Sequence, residues 1–233
     1  MGANGNAAND PCTARNESCM ERSAWSVVCL VLALGCGAAS PRVVSFADGE
    51  LPIGAGTRLY FAADGPRGRH DLTIAITDTS PTFAFALACA HVEPPVALRG
   101  AASDTIEAAA LANGRDAYAI DRCDRQLTHD GSSLPAFLFS EHAVRALDHH
   151  ERTVLRMEDR GASVALMPIG TETLSIQVDG RATEVRTVHA RGDGLDVWIA
   201  DIGTPIVVRA QEHERGFVLS GVDTGRAPPR ARP

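Results

Sequence analysis

Thr173-Leu174-Ser175-Ile176-Gln177-Val178, then Asp179-Gly180, then Arg181-Ala182-Thr183-Glu184-Val185-Arg186-Thr187-Val188-His189-Ala190: this stretch decides the fold class. Two runs rich in β-branched residues flank a dipeptide that tolerates the positive φ a tight hairpin turn needs, which is the strongest short-range hairpin signal. Working outward, Gly192-Asp193-Gly194 leads into Leu195-Asp196-Val197-Trp198-Ile199-Ala200. A Gly203-Thr204-Pro205 turn then precedes Ile206-Val207-Val208-Arg209-Ala210, and Arg215-Gly216 precedes Phe217-Val218-Leu219-Ser220. The pattern predicts an antiparallel meander. Alternation sets Leu195, Val197 and Ile199 on one face and Trp198 on the other, so both faces of this strand are expected to find apolar cover.

The first half is also strand-rich, in Arg58 to Ala62, Asp71 to Thr77 and Thr82 to Ala88. Leu72, Ile74 and Ile76 alternate with Asp71, Thr73 and Thr77. Ser140 followed by Glu141-His142-Ala143-Val144-Arg145-Ala146-Leu147 predicts a two-turn helix with a serine cap. A second short helix is expected over Thr105 to Ala112, stopped by Asn113-Gly114. The expected fold is therefore mainly β: a curved antiparallel sheet, either a half-barrel or an open sandwich, with one or two short helices. A closed two-sheet sandwich is the alternative.

Leu134-Pro135-Ala136-Phe137-Leu138-Phe139-Ser140, the hairpin at Gly180, and Trp198-Ile199-Ala200-Asp201 leading through Pro205 into Ile206-Val207-Val208-Arg209 together resemble a group of uncharacterised exported bacterial β-rich lipoproteins. Their folds are similar to the lipoprotein-carrier half-barrel, a curved antiparallel sheet partly covered by helices. The resemblance spans residues 134–222. It implies architecture and brings no catalytic residues with it.

At the other end, Ser26 to Ser40 reads Ser-Val-Val-Cys-Leu-Val-Leu-Ala-Leu-Gly-Cys-Gly-Ala-Ala-Ser. Its apolar part is too short for a permanent span, which takes about 20 residues, and fits the core of a signal peptide. Gly35 before Cys36 matches a lipoprotein cleavage site, although Ala33 and Leu34 stand in the reverse of the commonest order. The expected arrangement is a signal peptide over 1–35, with translation starting at Met1 or at Met20. A lipidated terminus and tether follow over 36–50, with acylation at Cys36, then one β-rich domain over 51–224 and a disordered tail over 225–233. Asn4, Asn6, Asn9 and Asn16 leave only Asn113 for the rest of the chain, which marks the first 19 residues as compositionally foreign. A plain secretory signal cut near Ala38 or Ala39, or a short retained anchor, is the competing reading. Gly37 after the cysteine implies outer-membrane sorting, and two or more acyl chains would hold the protein firmly.

All 22 basic residues are arginine, and 29 acids outnumber them. Without Asp10, Glu17, Glu21, Arg15 and Arg22 the part after Cys36 keeps a formal charge of −6, which excludes polyanion binding as a reading of composition. Three of the six cysteines precede Cys36, which leaves Cys89 and Cys123 as a pair. A disulfide between them would close a loop of about 35 residues and stabilise the fold by about 3 to 4 kcal/mol. Two buried thiols are the alternative.

Candidate chemistry is sparse. Asp78-Thr79-Ser80 and Asp223-Thr224-Gly225 resemble the paired triplets of aspartic proteases, where two carboxylates share a proton. Yet only eight residues follow Gly225, rich in Pro and Arg, so turn chemistry is the better reading. His142, His149 and His150 lie beside Asp148 and Glu151 without the i, i+4 ligand spacing of zinc helices, and no metal or other cofactor is expected. No Gly-x-Ser-x-Gly, phosphate loop or dinucleotide fingerprint occurs. A hydrolase using His129, near Ser132 and Ser133, or the His149-His150 region is the enzymatic reading. Arg191-Gly192-Asp193 reads as a turn. The leading expectation is a non-enzymatic envelope lipoprotein that binds an apolar ligand or a partner protein on its curved sheet, with Trp198, Phe83 and Phe85 as contact residues. A structural or interaction module with a filled interior is the rival.

Overall fold

Asp179 and Gly180 both adopt positive φ, 48° and 76°, and Val178 pairs with Arg181 across them. Asp193 and Gly194 repeat the device with 49° and 80°, pairing Gly192 with Leu195. These two-residue turns match the twist of the strands they join, and they organise the meander. Asp193 also accepts a hydrogen bond from the Ala165 amide (3.4 Å), so Arg191-Gly192-Asp193 belongs to a strand end and its turn.

The computed structural model describes residues 43–44, 53–65, 68–91, 99–118, 131–158, 161–200, 204–213 and 215–225. In chain order the strands are β1 Val43–Val44, β2 Arg58–Gly65, β3 Gly68–Asp78, β4 Phe83–His91, β5 Arg99–Ile106, β6 Asp116–Tyr118, β7 Leu134–Pro135, β8 Thr153–Met157, β9 Ala162–Val178, β10 Arg181–Gly192, β11 Leu195–Ala200, β12 Ile206–Glu212 and β13 Arg215–Asp223. The helices are α1 Ala108–Asn113 and α2 Glu141–Asp148. All of these fall within one compact unit, Ala39–Pro233.

The protein is mainly β, with two short helices among the described residues. One continuous strand path runs β5-β4-β3-β2-β13-β12-β11-β10-β9-β8-β6-β7, largely antiparallel, and β1 joins β10 from the side. The alternative of two separate sheets does not hold, because β9 is long enough to pair with β8 at its start and β10 beyond. The curvature is strong. The end of β9 reaches β13, where Gly221 faces Gln177 and Val222 faces Val178, so β9 to β13 form a closed ring. Asp179 secures this closure: its carboxylate accepts from the amide and the hydroxyl of Thr224, both at 2.8 Å. Opposite regions of the path also meet, since the Tyr118 hydroxyl of β6 donates to Asp104 of β5 at 2.6 Å. Burial, then the Asp104 bond and charge, push that phenol's pKa far up, so it stays a donor.

Two apolar cores fill this framework. The larger joins β2, β3 and β4 to β9, β10, β12 and β13, and Phe137 sits at its centre, fully buried. Phe137 meets Phe85 edge-on (5.2 Å between centroids) and Phe61 at 6.3 Å. The smaller core gathers Ala143, Val144 and Leu147 of α2 with Val188, Val197, Ile199 and Val207 of β10 to β12. Burying each of the larger aliphatic chains contributes about 1.5 to 3 kcal/mol. Ser140 caps α2 as expected, its hydroxyl accepting from the Ala143 amide at 3.3 Å.

Three expectations change in detail. The first helix begins at Ala108, not Thr105, because Thr105 and Ile106 continue β5 opposite Ala84 and Phe83. Within the expected tether over 36–50, Val43 and Val44 pair in parallel with Glu184 and Val185. Strands β5, β6, β7 and β8 add to the strands read from sequence. The signal peptide, Cys36, Cys123, His129 and residues 226–233 of the tail lie outside the described residues.

Candidate functional site

Consecutive residues of a strand point to opposite faces, and β10, β11 and β12 make two different surfaces in this way. On one face, Val197 and Ala210 belong to the smaller core and, with Leu195, wall a half-enclosed cleft of about 120 Å³. Leu72 of β3, Phe217 of β13 and Leu155 of β8 enclose it further. Its floor is the segment of Ala136, Leu138 and Phe139, which crosses the inside of the fold. That segment is held because the Phe139 amide donates to the Pro205 carbonyl (3.1 Å) and the Val207 amide to the Phe137 carbonyl (2.9 Å). The lining is mostly apolar, while Asp64, Glu212 and Arg215 stand at the rim.

On the other face lies a polar cluster built around His189, which is 5% exposed. Its Nδ1 is 2.8 Å from Glu172 Oε1 and its Nε2 is 2.8 Å from Asp196 Oδ1. Trp198 stacks on the imidazole at 4.2 Å and 13° and donates its indole N–H to Glu172 Oε2 at 2.8 Å. Arg209 of β12 lies over the same indole at 4.8 Å, and Arg191 donates to Asp196 at 2.7 Å. The Trp198 indole bond, ahead of His189, holds the Glu172 carboxyl below its usual range despite some desolvation. Burial pulls the Asp196 carboxyl upward, but bonds from His189 and Arg191 outweigh it and leave a net lowering. Both carboxylates are thus kept ionised.

The three expected contact residues separate. Phe83 and Phe85 are each 1% exposed and pack in the larger core, away from the cleft. Trp198 belongs to the polar cluster. Cys89 is disulfide-bonded, while the expected partner Cys123 lies outside the described residues. Asp223 and Asp78 do not form a pair: Asp223 faces Arg58, which faces Ala75, and Asp78 lies three residues on. Strand spacing puts them about 14 Å apart, against the ~3 Å of a proton-sharing dyad. Each caps a turn instead, Asp78 accepting from the Thr79 and Ser80 amides and Asp223 from that of Gly225. His142, His149 and His150 are exposed around α2, and Ser133 donates to Glu158. Among the described residues no group of three His, Cys, Asp or Glu is arranged to hold a metal ion, and no helix is long and apolar enough to cross a membrane.

No family model matches the chain, and neither a curated protein nor a solved structure does. The cleft and the cluster therefore carry the functional argument alone. Sequence reading missed the cluster, although the signal was present: the Asp193-Gly194 turn by itself sets His189 opposite Trp198 and Arg191 opposite Asp196.

Proposed function

We propose that this protein is a non-enzymatic envelope lipoprotein, anchored in an outer membrane through Cys36, that receives an apolar ligand in the cleft walled by β11 and β12. The observation that carries this is the cleft itself: open to solvent, lined by Leu72, Leu138, Leu155, Val197 and Phe217, and bordered by charge only at its rim. Concave apolar sites with few polar groups suit such ligands. Its size is near that of an engineered apolar cavity of about 150 Å³ that takes up benzene. It therefore suits one end of an acyl chain, with the polar end left at the rim near Arg215. The filled cores elsewhere favour the rival structural module for every other part of the interior, so the choice rests on this one space.

The test is uptake of a fluorescent fatty acyl probe by the full chain. Wild type should enhance probe fluorescence saturably. Ala136→Trp, which fills the floor of the cleft, should reduce uptake by about tenfold, the loss of roughly 1.4 kcal/mol of apolar contact. Trp198→Ala should lower uptake less than Ala136→Trp does, because Trp198 faces away from the cleft. Folded wild type that leaves the probe dark would reject ligand binding and leave the structural module.

A further inference from the structure

We infer that His189 is held as an imidazolium between Glu172 and Asp196, and that this buried cation is a pH-sensitive latch on the back wall of the cleft. Each ring nitrogen stands 2.8 Å from a carboxylate oxygen. An ionised carboxylate only accepts, and a neutral imidazole has one N–H, so a neutral ring would set a lone pair against an oxygen on one side. Only the doubly protonated ring satisfies both contacts. The stacked indole agrees, since the face of Trp198 attracts a cation from His189 as it does from Arg209.

The charged groups facing the ring come from four strands: Glu172 from β9, Arg191 from β10 itself, Asp196 from β11 and Arg209 from β12 across Trp198. Two carboxylates and two guanidinium groups balance, so the imidazolium adds a net positive charge that the low exposure of the ring makes hard to hold without both anions. When the ring loses its proton, one of the two 2.8 Å contacts becomes repulsive and that carboxylate must turn out to solvent. The latch is then closed on the acid side of the imidazole titration and opens as pH rises through it. Acid closes it only as far as Glu172 and Asp196 remain ionised, and their lowered titration extends that range downward.

The same strands carry both devices. Asp196 and Trp198 alternate with Leu195 and Val197 of the cleft wall, and Arg209 adjoins Ala210. A bulge in β12 lies beside this point, with Trp198 opposite Arg209 and Ile199 opposite Val207, and the ladder of β9 and β10 shifts register at His189 and Ala190. The ladder between β10 and β11 is unbroken, and at the two irregular points beside it the side-chain bonds add to the backbone pairing that holds β9 and β12 in place. Releasing Asp196 or Glu172 would loosen the wall and weaken ligand retention, a consequence that rests on the cleft being a ligand site.

The experiment is long-range ¹⁵N NMR of the full chain from about pH 5.5 to about pH 8, with probe uptake followed over the same range in wild type, His189→Gln and Glu172→Gln. Both ring nitrogens of His189 should be protonated at the acid end. Uptake should fall by about fivefold as the ring deprotonates, the low end of site-to-site coupling. His189→Gln should abolish that dependence, and Glu172→Gln should move the ring's titration to lower pH. A neutral ring at pH 5.5, or the same pH profile in His189→Gln, overturns the latch. If no variant takes up probe at any pH, ligand binding fails, and the ring's protonation together with the pH dependence of melting still decides the latch.

Discussion

The two faces of β10 to β12 differ in what holds them. The cleft face is apolar and incompletely filled, and its side chains stay in place by packing in the smaller core and against Phe217. The His189 face is polar, and there hydrogen bonds with defined partners fix each group. Space tolerates a range of occupants, whereas a satisfied polar network tolerates one arrangement, since an unpaired buried polar group costs about 1 to 3 kcal/mol. A soft surface and a stiff one share a single layer of backbone.

The largest expected effect strikes both faces together. A Cβ on Gly192 would come 1.8 Å from the Ala165 carbonyl oxygen. Backbone cannot yield cheaply there, so Gly192→Ala should cost about 3 kcal/mol, the top of the overpacking range, in urea unfolding. A cost under about 0.5 kcal/mol would mean that β9 and β10 can separate at this point. Next, Trp198→Ala should strike the stiff face first, at about 3 kcal/mol, the low end of aromatic truncations because much of its surroundings are polar. Uptake of the acyl probe should fall by no more than the roughly fivefold effect of opening the latch, and its abolition would place Trp198 in the ligand site itself.

Ser140→Ala acts on the soft face, where it removes the cap that holds α2 over the smaller core. It should lower stability by about 1 kcal/mol, with Ser140→Asn restoring most of it. The smallest effect is on the acid side. Glu172 and Asp196 have folded pKa values below their unfolded ones. Their contribution is therefore complete above the unfolded carboxylate range, about pH 4, and is lost as pH falls through the folded values. Melting of the Glu172→Gln variant should be less sensitive to acid than that of wild type, and equal sensitivity would remove Glu172 from the network.

How far these faces could be read in advance depends on what each is made from. Asp179-Gly180 and Asp193-Gly194 announce their turns and, by counting outward, set most pairings of the meander, including Glu172 with Thr187 and His189 with Trp198. The sequence therefore holds the polar cluster nearly complete, and only the bulges at His189 and Trp198 are silent in it. The cleft is different. Leu72, Leu138, Leu155 and Phe217 come from four separate parts of the chain, and what unites them is the path of residues 136–139 through the interior. No local pattern encodes that path. β5 was hidden for another reason: Arg99-Gly100-Ala101-Ala102-Ser103-Asp104 lacks β-branched residues and becomes a strand by pairing with Phe83 to Ala90. Phe83 and Phe85 were expected at a binding surface because they are aromatic, yet the same property suits them to close a core around Phe137.

β13 has β2 along one edge, with β12 and then the end of β9 along the other. Three sheet margins thus await a single segment, residues 215–223, that the ribosome delivers after each of the strands it joins. Until it emerges, the nascent protein carries open hydrogen-bonding rims able to recruit strands from other molecules. A nascent chain stalled short of this segment should be the form most prone to aggregate.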